Sequence, residues 1–223
     1  MRHYALQHAG FLPDPSPGRV RCLDGRPAGE ARESAPLNFD YLVERLRVHR
    51  RRRLAIGGFS EAAVLVPVIE RDNHVCLGYT LRPDDMPTHP GQISFPGGRH
   101  DPGDNDLTAT ALREINEELG VAVQDIEVIG KIDDVPTPVG FVITPVVGWL
   151  RNPAVVTVDE REVAEYFEVD IKELSNPDNF KHRGQRQIAG VSYPVPEFHV
   201  AGKLIWGATA RITRSFLEIT DLV

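Results

Sequence analysis

Cysteine is nearly absent, with Cys22 and Cys76 the two examples in 223 residues. So few thiols argue against a disulfide framework, neither has a metal-site spacing, and a reducing compartment is the expectation. Long apolar runs are missing too. No stretch approaches the roughly 18 residues that a membrane-spanning helix needs, and no apolar segment follows a basic start as in a secretory signal. The expected location is the cytoplasm. Positive charge is also in deficit, since 25 Lys and Arg face 32 Asp and Glu, giving a net charge of −7. That balance argues against a surface built to neutralise a long nucleic acid. The exception is His49-Arg50-Arg51-Arg52-Arg53, which reads either as the solvated end of a helix or as a cationic group for a substrate phosphate. No internal repeat is present.

What the chain does have is a hydrophobic content of 41%, enough over this length for one sizeable core. Residues 1–36 carry Pro13, Pro15, Pro17, Gly18, Pro27 and Gly29 without hydrophobic periodicity, and read as a flexible or irregular arm before a single domain over 37–223. The pattern predicts a helix from about Asn38 to Arg52. Strands are expected at Ala62 to Ile69 and His74 to Leu81, around a turn at Glu70-Arg71-Asp72-Asn73. Further strands are expected at Ile126 to Asp133, Val142 to Leu150 and Val163 to Val169, then a short helix at Asp170 to Leu174. An amphipathic helix from Trp206 to Ile219 closes the pattern, with Trp206 able to line a pocket but, at the start of such a helix, expected in the core.

The most informative stretch runs from Phe95 to Val121. Its helical half places Glu114, Glu117 and Glu118 at i, i+3 and i+4, within an arc of roughly 100°. Ala111, Leu112, Ile115 and Leu119 take a separate arc, so the helix has one face to bury and an acidic face to present. Like charges so placed weaken a helix, and a hard divalent cation accounts for them: Mg²⁺ takes oxygen ligands and bridges carboxylates to substrate phosphates. Arg113, one turn before Glu117, can hold that carboxylate. Gly97 and Gly98 read as a tight turn bringing backbone groups close to a metal or phosphate.

These residues resemble the Nudix hydrolase signature, G-x5-E-x7-R-E-U-x-E-E-x-G-U, matched throughout its second half by Arg113 to Val121. In the first half Asp104 stands where the family has glutamate, and one extra residue separates it from Arg113. The flanks are similar to the coenzyme A pyrophosphatase branch, in Thr80, Arg82, Gly91 and the Phe95-Pro96-Gly97-Gly98 run, although Pro83 and Pro87 depart from its pattern. Its members share the lengthened spacing. Similarity continues through Asp134 to Gly148 and Ile205 to Ala210. The resemblance implies an α/β/α sandwich with a mixed β-sheet. It implies Mg²⁺ or Mn²⁺ held by Glu114, Glu117, Glu118 and the Gly97 carbonyl, with Arg113 orienting the glutamates. Arg82, His89, Gly91, Phe95 and Gly98 would meet substrate.

Hydrolysis of a diphosphate needs charge neutralised, a water aligned, and its proton removed. Glu114 is the first candidate for base or orienter, while Asp159, Glu160, Glu162 and Glu165 compete from a later segment, Glu162 foremost. With coenzyme A or its derivatives the products would be 3′,5′-ADP and 4′-phosphopantetheine or its acylated form. Pro136, sixteen residues past Gly120, keeps ADP-ribose or another nucleotide sugar as an alternative. A regulator that binds a nucleotide metabolite without cleaving it is the alternative of another class. The expected partner is a small nucleotide substrate, with a homodimer left open.

Overall fold

From Ala62 to Ile69 the strand Ser60–Arg71 is apolar at every position, and a strand of that kind needs cover on both faces. The computed structural model describes residues 38–71, 74–86, 89–150 and 156–223, together with the backbone of 22 and 23. Its strands are β1 (Cys22–Leu23), β2 (Ser60–Arg71), β3 (His74–Leu81), β4 (Ile93–Ser94), β5 (Gly97–Arg99), β6 (Ile126–Lys131), β7 (Val135–Pro136), β8 (Phe141–Leu150), β9 (Glu165–Asp170), β10 (Phe180–Ile188), β11 (Val191–Val200) and β12 (Lys203–Ile205). The helices are α1 (Phe39–Val48), α2 (Leu107–Leu119), α3 (Ile171–Ser175) and α4 (Gly207–Ile219).

Among the described residues the main sheet is ordered β1-β9-β3-β2-β8-β6, with β4 on β3, β5 on β2 and β7 on β8. β2 runs parallel to β8, from Ser60↔Phe141 to Ile69↔Leu150, and antiparallel to β3 and β5, so the sheet is mixed. One face packs on α2 through Ala63, Leu65 and Ile69 against Ala111, Ile115 and Leu119. The other packs on α1 and α4 through Val66, Val68, Leu77 and Tyr79 against Leu42, Leu46, Phe216 and Leu217. The three layers are the expected α/β/α sandwich. A second, antiparallel sheet of β10, β11 and β12 was not foreseen.

α1 begins under an Asn38 cap, whose side chain accepts from the Tyr41 N–H, and ends at Val48 rather than near Arg52. The cause is tertiary. Asp133 accepts from the Arg52 backbone N–H (2.9 Å) and pairs with His49 (2.8 Å), while Asp134 accepts from the Leu54 N–H (2.8 Å). Backbone donors committed to those carboxylates cannot also serve a helix. Arg51 pairs with Asp134, whose side chain is 4% exposed, and Thr144 Oγ1 donates to the same carboxylate. In place of a solvated helix end, the basic run is partly a clamp. α1 is in turn tied to the end of α4, where Tyr41 Oη donates to the Thr220 carbonyl and Arg45 Nε to that of Ile219.

The arm expected over residues 1–36 lies outside the described residues except for 22 and 23, which extend the main sheet by pairing with β9 in parallel. Residues 72 and 73 of the expected turn also lie outside them, and Arg71↔His74 pairing brings β2 and β3 together across that point. Cys76 is buried, as its place in a strand implies. Trp206 is a correction: it is the N-cap residue of α4 and 43% exposed, not core. Among the described residues no helix is long and apolar enough to cross a membrane.

Candidate active site

α2 starts where Asp106 accepts from the N–H groups of Thr108 (2.7 Å) and Ala109 (2.9 Å), and stops where Gly120 turns left-handed at φ 64°. Burial of Ala111, Ile115 and Leu119 on β2 fixes the rotation of the helix, and with it the glutamates. Their shared arc therefore runs from sheet to solvent. Glu118 is 5% exposed, the Glu114 side chain 13% and the Glu117 side chain 56%.

Gly97 and Gly98 do not form a turn: both lie in β5, paired with Val64 and Ala63. Glycine is required there by close approach. A Cβ on Gly97 would stand 2.4 Å from the Ala63 carbonyl oxygen and 2.6 Å from Val64 Cα, whereas one on Gly98 would stand 2.1 Å from Glu114 Oε1. The first obstacle is backbone and the second is the mobile end of a side chain. Gly97→Ala is therefore expected to destabilise the fold by about 2 kcal/mol or more. Gly98→Ala should melt within a few degrees of wild type yet lose roughly a hundredfold in kcat, because Glu114 must swing away. Thermal melts beside initial rates check the contrast, and equal loss of stability in both variants would contradict it.

Arg113 is the hub of the acidic face. Its Nε and Nη2 donate to Asp104 (3.0 and 3.1 Å), its Nη1 to Glu114 (3.0 Å) and Glu117 (2.9 Å), and its Nη2 also to the Arg99 carbonyl (3.2 Å). Asp104 accepts further from Thr110 Oγ1 (2.8 Å) and the Asp101 N–H (3.1 Å). The Arg113 guanidinium holds its carboxyl well below the usual range. The aspartate that departs from the family pattern thus serves as the bracket for Arg113, a role not assigned to it from sequence.

Glu118 is the group under strain. The Gly97 N–H donates to it (3.2 Å), but burial, then the nearby charges of Glu114 and Glu162, push its carboxyl up to about 8 despite Arg82. Burial raises Glu114 too, against the pull of Arg113. Among the described residues no three His, Cys, Asp or Glu side chains converge closely enough to grip a metal ion. Glu117 is turned to Arg113 and Glu118 to Gly97, as like charges separate toward whatever donors they can reach. The chemistry nevertheless fits a hard cation: the donors are carboxylate oxygens, and the buried one is undercompensated when ionised.

The remaining candidates are distributed around this cluster. Glu162 is exposed in the segment following 156, which hangs on the end of α2 through Thr157 N–H to the Leu119 carbonyl and Asp159 N–H to that of Glu118 (both 2.9 Å). Asp159 and Glu165 are committed to Arg161 and Lys203, and Glu160 is exposed, whereas the charge of Glu162 reaches both Glu114 and Glu118. Arg82 acts on Glu118 from β3's end, and its Nε is buried without a hydrogen-bond partner. His89 and Gly91 sit in the turn before β4, both with positive φ. The Phe95 ring is 2% exposed and stacked on Tyr79 at 4.7 Å, so it anchors the glycine strand from within the core.

The NUDIX domain family model matches residues 60–190. The chain is 36% identical over 174 residues to the uncharacterized Nudix hydrolase NudL of Yersinia enterocolitica, covering 74% of this chain and 86% of that protein. With NudL of Yersinia pestis it shares 35% identity over 157 residues, or 70% and 78% of the two chains. Among solved structures, a MutT/nudix family protein from Enterococcus faecalis aligns with a TM-score of 0.47 at 14% identity, over 77% of this chain and 66% of that one.

Proposed function

Because this chain belongs to the NUDIX domain family, we propose that it hydrolyses coenzyme A or its derivatives to 3′,5′-ADP and 4′-phosphopantetheine or its acylated form. The reaction class is hydrolysis of a nucleoside diphosphate-linked substrate. The observation that carries the catalytic reading is the Glu118 carboxylate, 5% exposed and accepting from the Gly97 N–H, with Glu114 set against the neighbouring Gly98. Glu114, Glu117, Glu118 and the Gly97 carbonyl would hold Mg²⁺ or Mn²⁺. Such an ion neutralises phosphate charge and acidifies water. Arg113, braced by Asp104, keeps Glu114 and Glu117 in place.

Arg82 meets a phosphate oxygen with the donor capacity that its buried Nε leaves unused. Glu162, exposed and near enough for its charge to act on both Glu114 and Glu118, takes the proton as water oxygen bonds to phosphorus and the P–O–P bridge breaks. The bridging oxygen leaves with its electron pair on the departing phosphate. His89 and Gly91 border that phosphate. We place the enzyme in the cytoplasm, acting on a small nucleotide. The coenzyme A assignment rests on Thr80, Arg82, Gly91 and the FPGG run at the branch's spacings.

Mass spectrometry of products after incubation with Mg²⁺ or Mn²⁺ and, separately, coenzyme A, ADP-ribose and NADH tests this reading. Release of 3′,5′-ADP by wild type but not by Glu118→Gln supports it. AMP from ADP-ribose, with coenzyme A untouched, would transfer the assignment to the nucleotide sugars.

A further inference from the structure

Trp206 stands at odds with its surroundings. Ile205 before it is fully buried, whereas Leu204 and Trp206 are 41% and 43% exposed. The backbone at Trp206 is still extended, at φ −144° and ψ 177°, so its indole leaves on the side of Leu204 and away from the core. It makes no capping hydrogen bond to α4. Among the described residues no other aromatic is exposed. Two partly accessible rings are already faced by cations: Phe141 by Arg99 at 4.8 Å and Phe180 by Arg214 at 4.8 Å.

Its position is tied to the candidate site. A Cβ on the adjoining Gly207 would lie 3.7 Å from Gln92 Nε2, and Thr209 Oγ1 donates to the Ile93 carbonyl (3.1 Å). Gln92 in turn accepts from the Arg82 N–H (3.0 Å), and the same segment continues into the Gly97 strand. Trp206 therefore adjoins the Gln92-Ile93 segment whose backbone meets that of Arg82, at the start of a helix packed on the sheet face opposite the glutamate helix. A substrate whose diphosphate lies between Arg82 and Glu118 extends an arm each way, and a nucleobase offers the flat π-surface that an open indole accepts.

We propose that Trp206 is the stacking platform for the nucleobase of the substrate, extended by the aliphatic surface of Leu204. This rests on the reading of the site as a nucleoside diphosphate hydrolase, and the base in question is adenine.

Intrinsic fluorescence of the full chain tests it, since Trp149, the other tryptophan, is buried and packed edge-on against Phe39. Titration with ADP should quench emission saturably, inorganic pyrophosphate and pantetheine should not, and Trp206→Ala should abolish the quench. In steady state Trp206→Ala should raise KM about tenfold with kcat within about twofold, and Trp206→Phe should restore most of the KM. Equal quenching by pyrophosphate, quenching that persists in Trp206→Ala, or an unchanged KM in that variant would overturn the proposal. Saturable quenching by ADP, lost in Trp206→Ala, in a protein that turns over none of the tested substrates would support the platform while removing the proposed reaction.

Discussion

Glu118→Gln is expected to lower kcat at least about a thousandfold while making the metal-free protein more stable at neutral pH. The two effects have one cause. Glu118 is buried among other carboxylates, and its ionised form lacks the positive charge that catalysis supplies to it. Glutamine keeps the shape and an acceptor for the Gly97 N–H, but removes the negative oxygen, and a loss of roughly 4 kcal/mol of transition-state stabilisation corresponds to that rate.

For stability the sign follows from proton counts. The folded carboxyl titrates near 8 and an unperturbed one at 4.5, so between those values the folded state binds a proton that the unfolded chain has released. Wild-type stability without metal should therefore be fully present below about pH 4.5 and decline as pH rises through 8, by on the order of 5 kcal/mol. Glu118→Gln should flatten this decline. Addition of Mn²⁺ should raise the wild-type melting temperature more at pH 8 than at pH 5, and leave the variant nearly unmoved. Denaturant melts across that range, with and without Mn²⁺, provide the check; parallel curves for the two proteins would contradict the assignment.

Asp134→Ala should be the most destabilising single substitution outside the apolar core, by about 3–5 kcal/mol, with a fall in melting temperature on the order of 10 °C. Asp134 accepts from Arg51, Thr144 Oγ1 and the Leu54 N–H at a side chain only 4% exposed. Its removal strands a guanidinium whose own exposure is 18% and leaves a backbone donor without a partner. Asp133→Ala should cost distinctly less, because the Asp133 side chain is 26% exposed and water can take over its bonds to His49 and Arg52. Thermal denaturation of both variants decides the order. A cost for Asp134→Ala below about 1 kcal/mol would mean that the segment joining α1 to β2 is held by something else.

The legible parts of the chain were those whose periodicity agrees with their surroundings. α2 announces itself because its apolar arc meets β2 while its acidic arc faces outward, and β2, β3 and β8 because two buried faces require unbroken apolar runs. β10 gave no such signal: Lys181 to Gln187 are all exposed, so no face of the strand is selected to be apolar. α1 is shorter than its pattern suggests because Arg50 to Arg52 suit a helix locally, and only the distant Asp133 and Asp134 make an extended path better. At the site, the Glu114, Glu117 and Glu118 spacing was readable, since it is local. The need for glycine at 97 and 98 was misattributed to a turn because the Ala63 carbonyl and the Glu114 carboxylate, which exclude a Cβ there, come from other elements.

The bonds joining α1 to the end of α4 have a consequence for the order in which the molecule can assemble. Tyr41 and Thr220 are 179 residues apart in sequence, and Leu42 and Leu46 share their cluster with Phe216 and Leu217. During synthesis the apolar side of α1 emerges well before α4 and stays uncovered by it until the long stretch between the two has followed. The sheet and α2 can close earlier, because β2, β3 and the glutamate helix are near neighbours in sequence. The helix layer carrying Trp206 is thus the last to be completed, and a chain stalled shortly before it would hold its acidic cluster while exposing the side chains that make newly made proteins stick to one another.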